Sequence, residues 1–329
     1  MLEVGDLPDP SPGLDEVVIE VRAVSLNHLD LWVRRGLPGL DPELPHIGGS
    51  DIAGVVLEVG EGAEGWGPGD AVVVNPGLWC GYCEWCVRGE SPLCRSYQIL
   101  GEHKAGGTAE RVAVPARNLY PVPEEYPFEK AAAASLIYQT AWRALITRAG
   151  LRAGEVVLVT GASGGVSTAA VQIARLAGAR VVAVTSGPEN VRRVEELGAD
   201  LVIDRLEEDF SRRVWQETGK RGVDVVIDSV GEAIFEAAVR ALAPGGRLVT
   251  YGATTGAEGR FDIRSAFWKQ IQILGSTMGS RAEFERVMRL VFEGRLDPII
   301  DSVLPLEKIR DAHERLEAGA AFGKVVLTP

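Results

Sequence analysis

The alternation of short apolar strands with helices over residues 138–273 constrains the fold of this chain most. Val156–Thr160 is an apolar run that leads into Gly161, and the helix after it repeats apolar residues every three or four positions. Strands without a polar face, separated by helices, form a parallel sheet that is covered on both faces. Further strands are predicted at 181–184, 201–203, 223–227, 247–251 and 270–274, with helices at 190–197, 210–218 and 233–242. The sequence therefore predicts a doubly wound α/β domain over residues 138–273.

Residues 1–137 show a different pattern, in which glycine and proline separate short runs of β-type residues. Predicted strands are Val17–Val21, Ile52–Val59, Ala71–Val74 and Glu110–Val114, and a helix is predicted at Asn27–Arg35. The last segment, 274–329, predicts helices at 283–293 and 306–318, joined by a short turn, and a final strand at 324–328. With 329 residues, the chain is long enough for two domains.

The charge balance excludes several classes of partner. The chain has 46 Asp and Glu against 34 Lys and Arg, a net charge of −12, which repels nucleic acid and anionic lipid. The chain has no apolar run of about 18 residues, the length a membrane span needs. The first residues lack the basic and apolar stretches of a secretion signal. We expect a cytoplasmic protein that acts on a small molecule.

The turn after the first strand of the α/β domain has the composition of a dinucleotide-binding loop. Its glycines, Gly161, Gly164 and Gly165, let backbone N–H groups approach a pyrophosphate at the start of the next helix. The strict G-x-G-x-x-G spacing is absent, so a turn that binds nothing is the alternative. The predicted cofactor contacts are Gly161, Ala162, Ser163, Gly164, Gly165, Val166, Thr185, Ser186, Arg205 and Tyr251.

The end of the second strand selects between NAD(H) and NADP(H). An acid at this position would bind the ribose hydroxyls and exclude a 2′-phosphate, but no acid precedes Glu189. The hydroxyls of Thr185 and Ser186, with Arg192, Arg193 or Arg205 nearby, favour NADP(H). The alternative for each arginine is a solvated helix face.

All four cysteines of the chain fall within fifteen residues, and their spacing predicts a metal site. Paired C-x-x-C turns supply the tetrahedral thiolate geometry that zinc prefers. An iron–sulfur cluster is the competing interpretation, but the gap of seven residues before the last cysteine differs from its bacterial signature. The predicted ligands of one closed, structural zinc in a lobe over residues 76–97 are Cys80, Cys83, Cys86 and Cys94. Four thiolates leave no open position for a substrate.

These features together resemble the medium-chain dehydrogenase/reductase superfamily. Supporting stretches are Gly49-Ser-Asp-Ile-Ala-Gly54, Trp66-Gly-Pro-Gly-Asp70 and Gly323-Lys-Val-Val326. The resemblance implies a GroES-like catalytic domain over 1–137, a Rossmann coenzyme domain over 138–273, and a return of 274–329 to the catalytic domain. It also implies substrate binding between the domains, and a homodimer or homotetramer formed through the edge strand at 270–274.

The positions that hold a catalytic zinc in the alcohol dehydrogenases of this superfamily carry other residues here. The C-x-x-D pattern of that group reads Asn27-His28-Leu29-Asp30, and its G-H-E pattern reads Gly49-Ser50-Asp51. The third ligand position falls near Leu136. The pattern at 27–30 and the turn at 162–166 are instead similar to quinone oxidoreductases, which use no catalytic metal.

The resemblance therefore favours hydride transfer from NAD(P)H to a conjugated carbonyl compound, an enone or quinone, which needs little Lewis-acid help. Asn27 is a candidate donor to the developing oxyanion, and His28 or Tyr138 a candidate proton donor, with Asp30 beside them. Structural alternatives are that Asn27 caps the helix and that Asp30 is a buried carboxylate.

Two other functions remain open from the sequence. An alcohol dehydrogenase could hold its catalytic zinc with atypical ligands such as His28, Asp51 and His103. A nucleotide-binding protein without catalytic activity is the second alternative. A zinc ribbon that binds nucleic acid is disfavoured by the charge and by the lack of a basic stripe around the cysteines.

Overall fold

The computed structural model describes residues 2–37 and 39–329. The chain divides into two compact units, one made of Met1–Gln139 with Gly279–Pro329 and the other of Thr140–Met278. The boundaries predicted from the sequence, 137/138 and 273/274, lie a few residues before these divisions.

The elements are as follows in chain order. Up to residue 142 they are β1 (Glu16–Ser25), α1 (His28–Arg35), β2 (Asp51–Val59), β3 (Ala71–Val74), β4 (Gly77–Leu78), α2 (Glu84–Val87), β5 (Gln98–Ile99), β6 (Arg111–Pro115), β7 (Leu119–Pro121) and α3 (Phe128–Trp142). From 143 to 275 they are β8 (Val156–Val159), α4 (Gly165–Leu176), β9 (Arg180–Thr185), α5 (Pro188–Glu196), β10 (Leu201–Asp204), α6 (Phe210–Glu217), β11 (Val223–Asp228), α7 (Phe235–Arg240), β12 (Leu242–Thr250), α8 (Ile263–Lys269) and β13 (Gln272–Gly275). The remaining elements are α9 (Arg281–Phe292), β14 (Ile300–Pro305), α10 (Ile309–Glu317) and β15 (Lys324–Thr328).

The first unit is built on a seven-stranded sheet in the order β14-β15-β1-β2-β3-β7, with β6 also paired to β1. Alternate residues of β1, among them Val17, Ile19 and Val21, enter one apolar core with residues of β2, β3, α10 and β15. The last strand, β15, pairs antiparallel with β1, with Val24 opposite Leu327. The end of the chain is therefore part of the same sheet as its beginning.

One predicted connection in this unit is wrong. The short turn expected between the last two helices contains a strand, β14, which pairs in parallel with β15. The residues of β14 are only half-buried or exposed, because the strand lies at the edge of the sheet. The strand therefore lacks the alternation of apolar and polar residues by which a strand is predicted from sequence.

The second unit confirms the predicted doubly wound fold. Six parallel strands lie in the order β10-β9-β8-β11-β12-β13. The chain runs outward from β8 through β9 to β10 and then returns to β11 on the other side of β8, so the strand order reverses between β8 and β11. A crevice for a ligand opens at the carboxyl ends of strands at such a point. Helix α8 was not predicted, and the helix expected at 233–242 is shorter, with 242–250 in a strand.

Among the described residues, no helix has both the length and the apolar character that crossing a membrane requires.

Candidate active site

A buried ion pair lies at the centre of the candidate site in the first unit. The Lys324 ammonium at the start of β15 lies 2.9 Å from Oδ2 of Asp51 at the start of β2, and the two side chains are 3% and 0% exposed. Lys324 Nζ also donates to the Leu26 carbonyl and to Asn27 Oδ1, both at 2.6 Å, so all three ammonium protons are used. Asp51 Oδ1 accepts from the Leu136 amide at 2.7 Å. Each buried charge is thus paired and hydrogen-bonded.

This ion pair brings together positions that the resemblance linked to a catalytic zinc. Asn27 Nδ2 donates to Asp51 Oδ2 at 2.9 Å, and the Leu136 amide donates to the other carboxylate oxygen. Ser50, the remaining one of the three positions, is fully buried and precedes Asp51 directly in the chain. The positive charge at this place is the Lys324 ammonium, and none of the three positions carries a thiolate or imidazole.

Asn27 is held as a structural residue of this network. It is the N-cap of α1, and its backbone N–H donates to Asp30 Oδ2 at 2.7 Å. Its side-chain amide donates to Asp51 and accepts from Lys324, and its second N–H faces the Ser25 carbonyl at 3.5 Å. Asn27 therefore stands at the cap position of α1, but its side chain is engaged by the ion pair and makes no hydrogen bond to the helix backbone.

Asp30 is likewise buried and structural in its contacts. Its Oδ1 accepts from the Gly49 amide at 2.9 Å, which ties the 48–51 turn to the start of α1. Burial raises the pKa of this carboxyl to about 6, against the opposing effect of the N–H groups of Asn27 and Gly49. Gly49 has a φ of +89°, and an added Cβ would lie 2.4 Å from Thr108 Oγ1, so only glycine fits this turn.

The two predicted proton donors differ in access. His28 is the first residue of α1 and is half-buried. Burial lowers the pKa of its imidazole, and the positive charges of Lys324 and Arg35 lower it further, so the ring is neutral near pH 7. A neutral ring can donate a hydrogen bond through its remaining N–H. Tyr138 on α3 is fully buried, and its hydroxyl is not exposed to solvent.

The structure does not assemble the alternative zinc ligands His28, Asp51 and His103. The Asp51 carboxylate is taken by the Lys324 ammonium, and His103 Nδ1 accepts from the Ile99 amide at 3.2 Å. Within residues 2–37 and 39–329, the four cysteines are the one group of three or more metal-ligating residues whose ligand atoms converge.

The four sulfurs of Cys80, Cys83, Cys86 and Cys94 all lie within 4.8 Å of one another. Cys86 Sγ is 3.8 Å from Cys80 Sγ and 3.6 Å from Cys83 Sγ. Sulfurs held at about 2.3 Å from one ion in a tetrahedron are about 3.8 Å apart. The donor set and its spacing therefore fit a zinc ion.

In the second unit, the turn 161–166 fits a pyrophosphate. Gly161 adopts a φ of +55°, and an added Cβ would lie 3.2 Å from Val230 Cγ2. Helix α4 begins at Gly165 with Gly164 as its N-cap, and its first turn has no acidic residue. A glycine cap has no side chain that could occupy the first N–H groups of the helix, which are left for an anion.

A polar network behind this turn contains a residue that the sequence analysis missed. Asp228 at the end of β11 is fully buried, and its Oδ1 accepts from Thr160 Oγ1 at 2.6 Å. Ser167 Oγ donates to the Thr160 carbonyl and lies 3.1 Å from the Tyr251 hydroxyl. Tyr251, a predicted cofactor contact, therefore supports the turn from behind with its hydroxyl. Asp228 could have been identified from the sequence, because it is an acidic residue at the end of an otherwise apolar strand.

The remaining predicted cofactor residues meet at the carboxyl ends of β9 and β10. The Arg205 amide donates to the Thr185 carbonyl at 3.0 Å, and the Arg205 side chain is exposed. Thr185 is buried, and Ser186 is half-buried. Asp204, which was not among the predicted residues, lies at the same place.

Comparison with known proteins agrees with this arrangement. Residues 13–124 match the family profile "Alcohol dehydrogenase GroES-like domain", and residues 165–293 match "Zinc-binding dehydrogenase". Acryloyl-coenzyme A reductase of Metallosphaera sedula is 36% identical over 330 residues, which cover 99% of this chain and 96% of that protein. Human quinone oxidoreductase is 32% identical over 98% of this chain and 92% of its own. A crystal structure of an NAD-dependent alcohol dehydrogenase superposes with a TM-score of 0.95 at 47% identity, over 99% of this chain and 95% of that one.

The fold, the glycine turn and these relatives define an NAD(P)-dependent oxidoreductase. The chain belongs to the medium-chain dehydrogenase/reductase superfamily, as its sequence motifs predicted.

We expect Lys324→Met to destabilise the protein by about 3–5 kcal/mol, because it leaves the Asp51 carboxylate buried without its partner. Urea unfolding followed by circular dichroism measures the loss. The double variant Lys324→Met, Asp51→Asn is the control and should recover part of the stability, since it removes both charges and keeps an acceptor for the Leu136 amide. A single variant as stable as the unmodified protein would contradict this account of the network.

Proposed function

We propose that the protein is an NAD(P)H-dependent reductase of conjugated carbonyl compounds that works without a catalytic zinc. The observation that carries the proposal is the Asp51–Lys324 ion pair. At the positions linked to zinc in related alcohol dehydrogenases, this chain has Asn27, Ser50 and Leu136 around a carboxylate that a lysine already neutralises.

The substrate class follows from what this site lacks. An isolated ketone needs strong polarisation of its oxygen, whereas conjugation makes the β-carbon of an enone or enoyl thioester electrophilic by itself. A bound nicotinamide dinucleotide supplies the hydride. The similarity to an acryloyl-coenzyme A reductase and to a quinone oxidoreductase, both named for conjugated carbonyl substrates, favours this class, whereas the similarity to an NAD-dependent alcohol dehydrogenase favours the alternative.

The chain's own residues would hold the coenzyme and the carbonyl group. The N–H groups at the start of α4 would bind the pyrophosphate, and the network of Asp228, Thr160 and Tyr251 would keep the turn in place. Addition of the hydride to the β-carbon would leave negative charge on the carbonyl oxygen, to which His28 would donate its remaining N–H, and a proton from water would then complete the reduction at the α-carbon. Asn27 and Asp30 act as positioning residues, because their contacts fix the first turn of α1, which carries His28.

The reaction is tested with acryloyl-CoA, a simple enone, a quinone and a primary alcohol, each with NADH and NADPH. We expect reduction of one or more conjugated substrates and little alcohol oxidation. His28→Ala should lower kcat about 10²-fold, the effect of losing a positioned acid–base group, without changing the affinity for the coenzyme.

The matched control is His103→Gln, because His103 was a candidate ligand of the alternative zinc site and has no role in the proposed reduction. We expect this variant to keep the turnover of the unmodified protein. Equal losses in both histidine variants, together with zinc-dependent alcohol oxidation, would favour the alcohol dehydrogenase. Turnover that His28→Ala leaves unchanged would remove His28 from the mechanism.

We also propose that Cys80, Cys83, Cys86 and Cys94 bind one structural zinc. A chelator should then expose the lobe over residues 76–97 to protease while the affinity for NAD(P)H stays within about twofold, because the nucleotide turn lies in the other unit. Limited proteolysis with mass spectrometry locates the cuts, and coenzyme fluorescence measures the affinity. Unchanged protease resistance after the metal is removed would contradict the structural role.

The expected homodimer has a candidate surface in the second unit. Strand β13 is the last strand of its sheet, and Ile263, Phe267 and Trp268 on the adjacent α8 are 72%, 65% and 83% exposed. An open strand edge beside exposed apolar side chains favours pairing with a second copy.

We expect a dimer by light scattering, and Trp268→Glu should shift it toward monomer. Trp215→Glu, which changes an exposed tryptophan on α6 in the same way, is the matched control and should leave the dimer intact. A monomeric unmodified protein would contradict the proposal.

A further inference from the structure

Backbone hydrogen bonds join the carboxyl ends of β8, β9 and β10, where a Rossmann domain binds the adenosine ribose. The Ala162 amide of the glycine turn donates to the Val184 carbonyl at 2.9 Å, and the Arg205 amide donates to the Thr185 carbonyl at 3.0 Å. The 2′ position of the ribose, a hydroxyl in NAD and a phosphate in NADP, is read at the carboxyl end of the second strand, which is β9 here.

A carboxylate from the next strand reaches the end of β9. Asp204 Oδ2 accepts from the Gly187 amide at 3.0 Å, and its Oδ1 accepts from the Leu206 amide at 3.0 Å. Gly187 is the N-cap of α5, so its N–H is among the backbone donors that an anion at this helix would use. Asp204 occupies that donor and places a negative charge beside it.

The hydroxyl of Thr185 provides an uncharged hydrogen-bonding group at the end of β9. Thr185 is 3% exposed, and its Oγ1 has no hydrogen-bond partner within the part of the chain that the structure describes. A buried hydroxyl without a partner is costly, and a ribose hydroxyl could satisfy it.

The arginines that favoured NADP(H) in the sequence give little support in the structure. Arg192 pairs with Glu196 on its own helix at 2.6 Å, and Arg193 also has an interaction partner. Arg205 is exposed and follows Asp204 directly, so its charge is offset by the neighbouring carboxylate.

We propose that Asp204 makes this coenzyme site select NADH against NADPH. The inference rests on the proposed NAD(P)H-dependent reduction and replaces the preference for NADP(H) favoured by the sequence. The sequence pattern predicts such an acid at the end of the second strand, whereas the fold supplies it from the end of the third.

The test measures Kd for NADH and for NADPH by coenzyme fluorescence on the full-length protein and on Asp204→Asn. We expect the unmodified protein to bind NADH at least about tenfold more tightly, and Asp204→Asn to reduce the ratio about tenfold, mainly by tighter binding of NADPH. Asp204→Glu keeps the charge and should keep the preference even if the turn shifts. Glu207→Gln is the matched control, an exposed acid three residues further on, and should leave the ratio unchanged.

Three results would overturn the proposal. The first is tighter binding of NADPH by the unmodified protein. The second is an equal weakening of both coenzymes in Asp204→Asn, which is the result expected of a purely structural turn residue. The third is the same loss of preference in Asp204→Glu as in Asp204→Asn. Failure of the unmodified protein to bind either coenzyme would instead refute the proposed function itself.

Discussion

The ion pair between Lys324 and Asp51 is the interaction on which the first unit depends. It joins the last strand of the chain to β2. Hydrogen bonds to Asn27 and to the Leu136 amide also connect the pair to the start of α1 and to the middle of α3. A buried pair of this kind stabilises a fold only when every donor and acceptor is used, and the contacts of Lys324 meet that condition. The chain thereby organises with its own charges the three positions that the resemblance to alcohol dehydrogenases linked to a catalytic zinc.

The same principle operates in the second unit, where acids at strand ends hold backbone N–H groups. Asp228 accepts from the amides of Val230 and Gly231 as well as from Thr160, and Asp204 accepts from those of Gly187 and Leu206. These contacts fix the loops at the carboxyl edge of the sheet, where a dinucleotide would bind. In both units the carboxylates position backbone and side chains.

Much of the fold could be predicted because its signals are local. The apolar strands of the parallel sheet, the glycine turn and the cysteine spacing each lie within one short stretch of sequence. The role of Lys324 could not be predicted, because its partner Asp51 lies at the other end of the chain and only the sheet order brings them together. Asp204 was missed because it ends β10, and only the pairing of β10 with β9 brings it to the Gly187 amide. The full burial of Tyr138 depends on packing that helical periodicity does not specify.

The most direct test of the account is the zinc content of enzyme that is active as a reductase. Elemental analysis of protein purified in metal-free buffer should give about one zinc per chain, and Cys94→Ser should lose it while reduction of the conjugated substrate continues. About two zinc ions per chain, with the second required for turnover, would contradict the claim that the Lys324–Asp51 network takes the place of a catalytic metal site.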